Sequence, residues 1–337
     1  MKLTVDVKHT TYDILLERGC IDKLHNYIDS TKRYFILTDT NIPQALIDQV
    51  VMQCPNSMVY KVAAGEQSKS MQTYEEVCLA CLDFHMSRKD ILIALGGGVI
   101  GDLGGFVASS YMRGISFISI PTTTISQIDS SIGGKTAINL GKVKNIIGSF
   151  YHPDFVLIDT NTLATLPKRH IQSGLVEALK AGLIHDPSLY EMFKQEDYET
   201  KIDEIIYKAL LVKKWVVNQD EKENGLRKTL NFGHTIGHGI EAYYNLETYY
   251  HGECVGMGML YFLEDERLKQ EVISILEKMG LPTSTHFDLH KVYDYITMDK
   301  KAYADTISVI KVNEVGKAYI EDLPLTQIQT ILERNTL

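Results

Sequence analysis

The chain has 337 residues, 45% of them apolar and 23% charged, with a net charge of −9. This is the make-up of a globular chain able to bury a substantial core, with about two domains expected at roughly 150 residues each. The acidic balance excludes a global basic field for nucleic acid or anionic lipid. No apolar run approaches the roughly 20 residues that span a bilayer, and the N-terminal MKLTVD lacks a signal-peptide core. The expectation is therefore a cytoplasmic protein with neither a nucleic-acid nor a membrane partner.

In chain order, Arg33–Thr38 (RYFILT) predicts a strand, Pro43–Met52 a helix, Met58–Ala63 a second strand and Ser70–His85 a helix. Asp90–Leu95 predicts a third strand, ending in a glycine-rich turn, and Ile115–Ile120 (ISFISI) a fourth. Strands alternating with helices predict an α/β N-terminal domain with a parallel-rich, helix-covered sheet. Cys78 and Cys81 form a C-x-x-C inside the helical run Tyr74–Phe84; with no second pair they read as core packing, and five cysteines in this length are no disulfide framework.

From about Leu166 onward, 3.6-residue periodicity dominates: Ile171–Ile184, Ile202–Asn218, His234–Tyr244, Val255–Lys269 and Val272–Met279. This predicts a mostly α-helical second domain. The expected domains are residues 1–168 and 169–337, with a ligand site in the cleft between them.

Gly96-Gly97-Gly98-Val99-Ile100-Gly101 follows the third strand and opens a helix. It fits G-x-G-x-x-G, in which glycines let backbone N–H groups approach a pyrophosphate at a helix N-terminus. The acidic residue usual about 20 positions later is missing, and a tight glycine turn is the plainer reading. Asp39, the loop Gly65–Lys69 and Pro121–Thr124 also lie just beyond strand ends, where open parallel sheets bind ligands.

Asp129–Thr136 (DSSIGGKT), with Lys142, Lys144 and Asn145 after it, has the small residues and lysines of an anion-binding loop or of a solvated basic one. Ser173–Ile184 (SGLVEALKAGLI) is apolar around Glu177 and Lys180, an i, i+3 pair that its neighbours would bury. Buried charges need a partner or a metal. Lys213, Lys222, Glu223 and Arg227 precede the helical stretch Leu230–Glu241 (LNFGHTIGHGIE), where His234, His238 and Glu241 share one face at i, i+4 and i+7. His251-Gly252-Glu253 follows. On spacing alone His234 and His238 are the first metal pair, and histidines with one carboxylate suit a zinc-type cation with an open position.

GGGVIGDLGGFVASSYMRGI (Gly96–Ile115), IPTTT (Ile120–Thr124), DSSIGGKTAIN (Asp129–Asn139), KNIIGSF (Lys144–Phe150), SGLVEALKAGLI and GLRKTLNFGHTIGHGIE (Gly225–Glu241), with His251–Glu253 and the late Asp299–Lys301 (DKK), resemble the 3-dehydroquinate synthases in order over nearly the whole chain. The resemblance implies a Rossmann-like N-terminal domain, a helical C-terminal domain, NAD and a divalent metal (zinc or cobalt) as cofactors, and a homodimer. It implies that Glu177, His234 and His251 hold the metal. It places Asp102, Asp129, Lys135, Lys144, Asn145, Lys180, Lys213, Glu223, Arg227, Asn231 and His238 around the substrate, and Arg113 across the dimer interface. Asp39, Asn41, Glu66, Lys69, Gly97, Gly98, Thr122, Thr123 and Thr165 match nucleotide-contacting positions, with Asp102, Lys135 and Lys144 shared. The late motif departs from the family in one respect: Ala302-Tyr303-Ala304-Asp305 stands where a glycine often follows the lysine pair Lys300-Lys301.

The implied substrate is an anionic sugar-acid phosphate, 3-deoxy-D-arabino-heptulosonate 7-phosphate, on the shikimate route to aromatic amino acids. The implied chemistry is transient oxidation, phosphate elimination, re-reduction and aldol closure, with NAD regenerated. Lys135, Lys144, Asn145 and His238 are then expected at the phosphate end, Lys213 and Arg227 at the carboxylate end, and Glu223 near the metal. Another sugar-phosphate cyclase and a metal-dependent polyol dehydrogenase are the alternative enzymes.

Overall fold

The computed structural model describes residues 1–337 except His9, Lys142, Leu246, 299–304 and 335–337. The late motif Asp299–Lys301 and its neighbours Ala302–Ala304 therefore lie outside the described residues, as does Lys142. The chain forms two compact units, Met1–Leu166 and Pro167–Leu337.

In the first unit, β1 (Lys2–Val7) and β2 (Thr10–Leu16) make an antiparallel hairpin. Then follow β3 (Tyr34–Asp39), α1 (Gln44–Val51), β4 (Ser57–Val62), α2 (Met71–Asp83), β5 (Ile91–Gly96), α3 (Gly98–Ser110) and β6 (Ser116–Pro121). A hairpin of β7 (Lys135–Leu140) and β8 (Val143–Phe150) precedes β9 (Phe155–Ile158). The main sheet runs β1-β2-β9-β6-β5-β3-β4 and is parallel from β2 onward. All of β5 and nearly all of β3 are buried, as continuous apolar runs require in a sheet covered on both faces. One apolar cluster lies under α2 and α3 and the other under α1. Cys81 is buried in the former, with Cys78 packed against it.

The predicted strands fall within one residue of the observed ones. Because β3 leads to β4 on one side while β5 and β6 continue on the other, the order reverses between β3 and β5. Their carboxyl ends, Asp39 and Gly96, flank that reversal, the usual ligand position in such sheets.

In the second unit, α4 (Lys168–Ile184), α5 (Pro187–Lys194), α6 (Ile202–Gln219), α7 (His234–Tyr243), α8 (His251–Met259), α9 (Glu266–Lys278) and α10 (Leu289–Thr297) precede a hairpin of β10 (Thr306–Glu314) and β11 (Lys317–Pro324), and α11 (Leu325–Arg334) ends the described chain. The single helix expected over Val255–Lys269 is instead the end of α8 and the start of α9. Leu263 leaves helical geometry to bridge Val312 of β10, and Asp265 accepts the Leu268 N–H at 2.7 Å, capping α9. The β10–β11 hairpin is likewise absent from the helical expectation for this half. Among the described residues, no helix is long and apolar enough to cross a membrane.

Helix α4 is buried without interruption from Gln172 to Ile184. It meets α8 backbone to backbone: a Cβ on Gly252 would stand 1.8 Å from the Ser173 carbonyl oxygen. On the far end of α8, a Cβ on Gly258 would stand 2.0 Å from the Gly233 carbonyl oxygen, at the start of α7. Because these atoms are backbone, no rotamer change relieves the clash. Gly258→Ala should destabilise the second unit by at least about 3 kcal/mol. Gly101→Ala, whose added Cβ would meet nothing within 4 Å, should stay within about 1 kcal/mol of the parent. Thermal unfolding of the two variants checks both.

Candidate metal and nucleotide sites

The close approach of α4, α7 and α8 brings together three side chains that are far apart in sequence. Glu177 projects from the buried middle of α4, His234 opens α7 and His251 opens α8. Glu177 Oε1 lies 3.7 Å from His234 Nε2 and 3.6 Å from His251 Nε2. Donors around a tetrahedral cation with bonds of about 2.1 Å sit about 3.4 Å apart, so these separations suit one small divalent ion.

The orientation of each donor is set from behind. His234 Nδ1–H donates to the Phe232 carbonyl at 3.1 Å, and His251 Nδ1–H donates to Glu241 Oε2 at 2.9 Å. Each ring thereby turns its Nε2 toward Glu177. Glu177 Oε2 takes the Lys180 ammonium, while Oε1 is buried and, among the described residues, has no partner within normal hydrogen-bond distance, the two Nε2 atoms standing just beyond it. A buried carboxylate oxygen is seldom left so, and a cation would satisfy it.

The electrostatics agree. Burial alone would raise the Glu177 pKa, but Lys180, His251 and His234 outweigh it and hold the carboxyl well below its usual range. Burial, reinforced by the Lys180 charge, keeps His234 well below the ordinary imidazole value and so neutral. For His251 burial opposes the charge, but Glu177 and Glu241 raise the pKa to about 9. A proton there marks a place where positive charge is favoured, which a metal ion can take over.

His238 belongs to the same cluster. One nitrogen from each of His234, His238 and His251 lies within 4.8 Å of the others, and His238 is the exposed member. The structure thus brings together both the pair suggested by spacing and the trio implied by resemblance. It also supplies two acids whose roles the sequence did not signal. Glu241 was visible on the histidine face, but nothing in its spacing named His251 as its partner. Glu253, fully buried, accepts a two-pronged contact from Arg169 at 2.7 and 2.8 Å and the Tyr250 N–H at 2.8 Å, which fixes the first turn of α8.

Elsewhere in this unit Lys213 and Arg227 are buried. The Arg227 guanidinium donates to the Glu221 carbonyl, and Asp220 accepts the N–H groups of Asn224, Gly225 and Arg227 at 2.7–2.9 Å, shaping the loop. Asn231 donates to Glu223 Oε1 at 2.6 Å, and Glu223 is held at φ 62°, an uncommon backbone state for a non-glycine residue that is enriched at functional sites.

In the first unit, α3 starts at Gly98 with Gly97 as its cap and no side chain capping it. Its first N–H groups are therefore available to an anion. Cβ atoms at Gly97 and Gly98 would crowd Thr123 (3.1 Å) and Ser130 (3.2 Å). Thr122 presents a buried hydroxyl with no hydrogen-bond partner at the end of β6, beside Thr123, whose hydroxyl pairs with Ser126. Asp39 ends β3 and accepts the Asn41 N–H at 2.8 Å; burial raises its pKa. Thr165 donates to the Thr162 carbonyl at 3.3 Å.

Lys69 is the hub of this unit's polar groups. Its buried ammonium contacts Asp102 at 2.6 Å, Glu66 at 3.6 Å and Asn145. Asn139 completes the web: its side chain donates to Glu66 at 2.8 Å, and its Oδ1 accepts the Asn145 N–H at 2.8 Å, holding Asn145 at φ 54°. Residues expected at the nucleotide (Glu66, Lys69) and at the substrate phosphate (Asn145) are thus one connected group. Asp129 sits on a single wide helical turn, Lys135 and Lys144 are exposed on the β7–β8 hairpin, and Arg113 is exposed at φ 68°.

Comparison with known proteins gives a consistent picture. Residues 59–173 match the family described as 3-dehydroquinate synthase N-terminal, and residues 174–302 that described as 3-dehydroquinate synthase C-terminal. A 3-dehydroquinate synthase of Enterococcus faecalis is 40% identical over 99% of this chain and 99% of its own. In structure, a 2-deoxy-scyllo-inosose synthase complexed with carbaglucose-6-phosphate, NAD+ and Co2+ matches with a TM-score of 0.89 at 22% identity, over 99% of this chain and 100% of its own. A 2-epi-5-epi-valiolone synthase from Streptomyces hygroscopicus with NAD+ and Zn2+ bound matches at 0.87 and 24%, over 98% of each chain.

The buried Lys180–Glu177 pair permits a test that needs no ligand. In chelator-treated protein, Lys180→Met leaves the buried Glu177 carboxylate with the His251 imidazolium as its remaining cation and should cost about 3 kcal/mol, the low end for a broken buried pair, whereas Lys180→Met with Glu177→Leu should recover most of that loss. Urea unfolding of the second unit, followed by tryptophan fluorescence, reads the difference.

Proposed function

This chain belongs to the 3-dehydroquinate synthase family, and we infer that it is a phosphate-eliminating lyase converting 3-deoxy-D-arabino-heptulosonate 7-phosphate to 3-dehydroquinate. We propose NAD and a divalent metal, zinc or cobalt, as its cofactors, a reading supported by the NAD+ with Co2+ or Zn2+ in its structural neighbours. The observation that carries the reading is the convergence of two oriented Nε2 atoms on Glu177 Oε1.

Glu177, His234 and His251 would hold the metal, and the uncapped N-terminus of α3 with Gly97, Gly98, Thr122 and Thr123 would hold the dinucleotide, with Asp39 and Asn41 at its ribose. When bound, the metal supplies Lewis-acid polarisation of a substrate hydroxyl and NAD supplies the acceptor and later donor of a hydride. The protein's own part is positioning and charge. Lys135, Lys144 and Asn145 are cations and donors for the substrate phosphate, and Lys69 holds Asn145 in place. Exposed His238, one helical turn from His234, is a hydrogen-bonding group for the same phosphate and can hold or release a proton at its ring nitrogen. Lys213 and the planar guanidinium of Arg227 suit the substrate carboxylate. Lys180 keeps Glu177 ionised, and Glu223 fixes the Asn231 side chain. Asp102 and Asp129 complete the polar lining, and Thr165 and Glu66 the nucleotide contacts. We further propose that the protein works in the cytoplasm as a homodimer in which the exposed Arg113 reaches the partner's site; sedimentation velocity reads the assembly.

Incubation with NAD, zinc and the heptulosonate phosphate should release phosphate with no lasting NADH absorbance. Net NADH would indicate a polyol dehydrogenase, and turnover of a neutral sugar phosphate instead would indicate a different cyclase. His234→Ala should lose both the metal and at least about a thousandfold in kcat. His238→Ala should retain near-stoichiometric metal while phosphate release slows; stoichiometric metal loss there, measured by elemental analysis, would restore the His234–His238 pair as the ligands.

A further inference from the structure

We propose that Glu241 is a positioning residue of the metal site, acting through His251. This rests on the reading of Glu177, His234 and His251 as the ligands, and adds a fourth side chain that touches neither metal nor substrate.

Glu241 ends the face of α7 that begins with His234, two turns away, and is nearly buried. Its Oε2 accepts the His251 Nδ1–H at 2.9 Å. A carboxylate can only accept, so this bond keeps a proton on Nδ1 and leaves Nε2, the atom 3.6 Å from Glu177 Oε1, as the nitrogen that a metal would take once its proton has left. Glu241 thus sets together the ring's rotation and which nitrogen keeps its proton.

The two histidines differ in this respect. His234 is oriented by a neutral backbone carbonyl, that of Phe232, which no substitution removes. His251 is oriented by an ionisable side chain from another helix. The backbone beneath His251 is already clamped, by Glu253 with Arg169 and by Gly252 against the Ser173 carbonyl. What remains free is the ring torsion, and Glu241 is what restrains it. Its carboxylate also places a second negative charge behind the ligand set, besides Glu177, favouring a divalent cation.

The test is metal affinity of the full-length chain, measured by competition between the protein and a chromophoric chelator for zinc, and separately for cobalt with its visible absorption bands recorded. Glu241→Ala should weaken binding about 10–100-fold and shift the cobalt bands, a spectroscopic change at the bound metal that a merely structural role would not produce. Glu241→Gln keeps an acceptor without the charge and should recover part of the loss. Glu241→Ala binding within twofold of the parent would overturn the proposal. Should that variant not fold, Glu241→Gln with parental affinity and unchanged cobalt bands would overturn it equally. His251→Ala separates the two levels: parental affinity there sinks the ligand reading and this inference with it, whereas lost affinity there beside intact Glu241→Ala binding sinks this inference alone.

Discussion

The geometry of the second unit depends on three helix backbones lying closer together than side chains normally allow. Gly252 seats the start of α8 on the Ser173 carbonyl of α4, and Gly258 seats its end on the Gly233 carbonyl before α7. Two contacts at opposite ends of one short helix leave it little freedom to slide or tilt. Its first residue, His251, is therefore held relative to Glu177 on α4 and His234 on α7, and the donor separations of 3.6 and 3.7 Å follow from helix packing more than from side-chain reach. A site built on packed helices keeps its geometry better than one built on loops.

That packing places charges where they are costly. Glu177, Lys180 and Glu253 are all within 3% of full burial. Buried ion pairs contribute little or nothing to stability relative to apolar residues of the same size, so stability does not account for them. Each has instead a positional consequence. Glu177 faces His234 and His251 from α4; Lys180 occupies one of its oxygens and leaves the other toward the histidines; Glu253, gripped by Arg169, starts α8 at His251. Glu177 Oε1, which faces two Nε2 atoms at 3.6 and 3.7 Å, is the oxygen that a bound cation would meet.

Much of this was legible in the sequence, and the exceptions have physical reasons. Buried parallel strands are continuous apolar runs bounded by glycine, proline and polar residues, so β3, β4, β5 and β6 were found within one residue. The β7–β8 hairpin escaped because its polar and apolar residues follow no strict alternation, β8 is largely exposed, and the two strands pair only with each other. The α8–α9 break escaped because apolar periodicity runs through it; α8 ends at Met259, and Leu263 within the break bridges Val312, a partner too distant for local pattern to record. The same limit applies to the site. Spacing put His234, His238 and Glu241 on one face, and burial was foreseeable for Glu177 and Lys180. That Glu177 faces His234 and His251, and that Glu241 faces His251, depends on helix packing, which spacing within one helix does not encode.

The first unit has its own charge problem. The N-terminus of α3 attracts anions, yet Asp102 sits in its second turn, where a bare carboxylate would repel a pyrophosphate. Lys69 answers this at 2.6 Å. Burial still raises the Asp102 pKa to about 6 against the pull of that ammonium, so the acid is neutralised by its partner and not by water. Lys69 is itself nearly buried and shared with Glu66 and Asn145, so its charge is largely balanced locally and it is poorly placed to act as a free phosphate-binding cation. Its contacts offset the Asp102 carboxylate near the N-terminus of α3 and tie that end of the helix to Asn145. In a chain of net charge −9, binding the proposed doubly anionic dinucleotide would rest on such local cancellation, because the overall field opposes it.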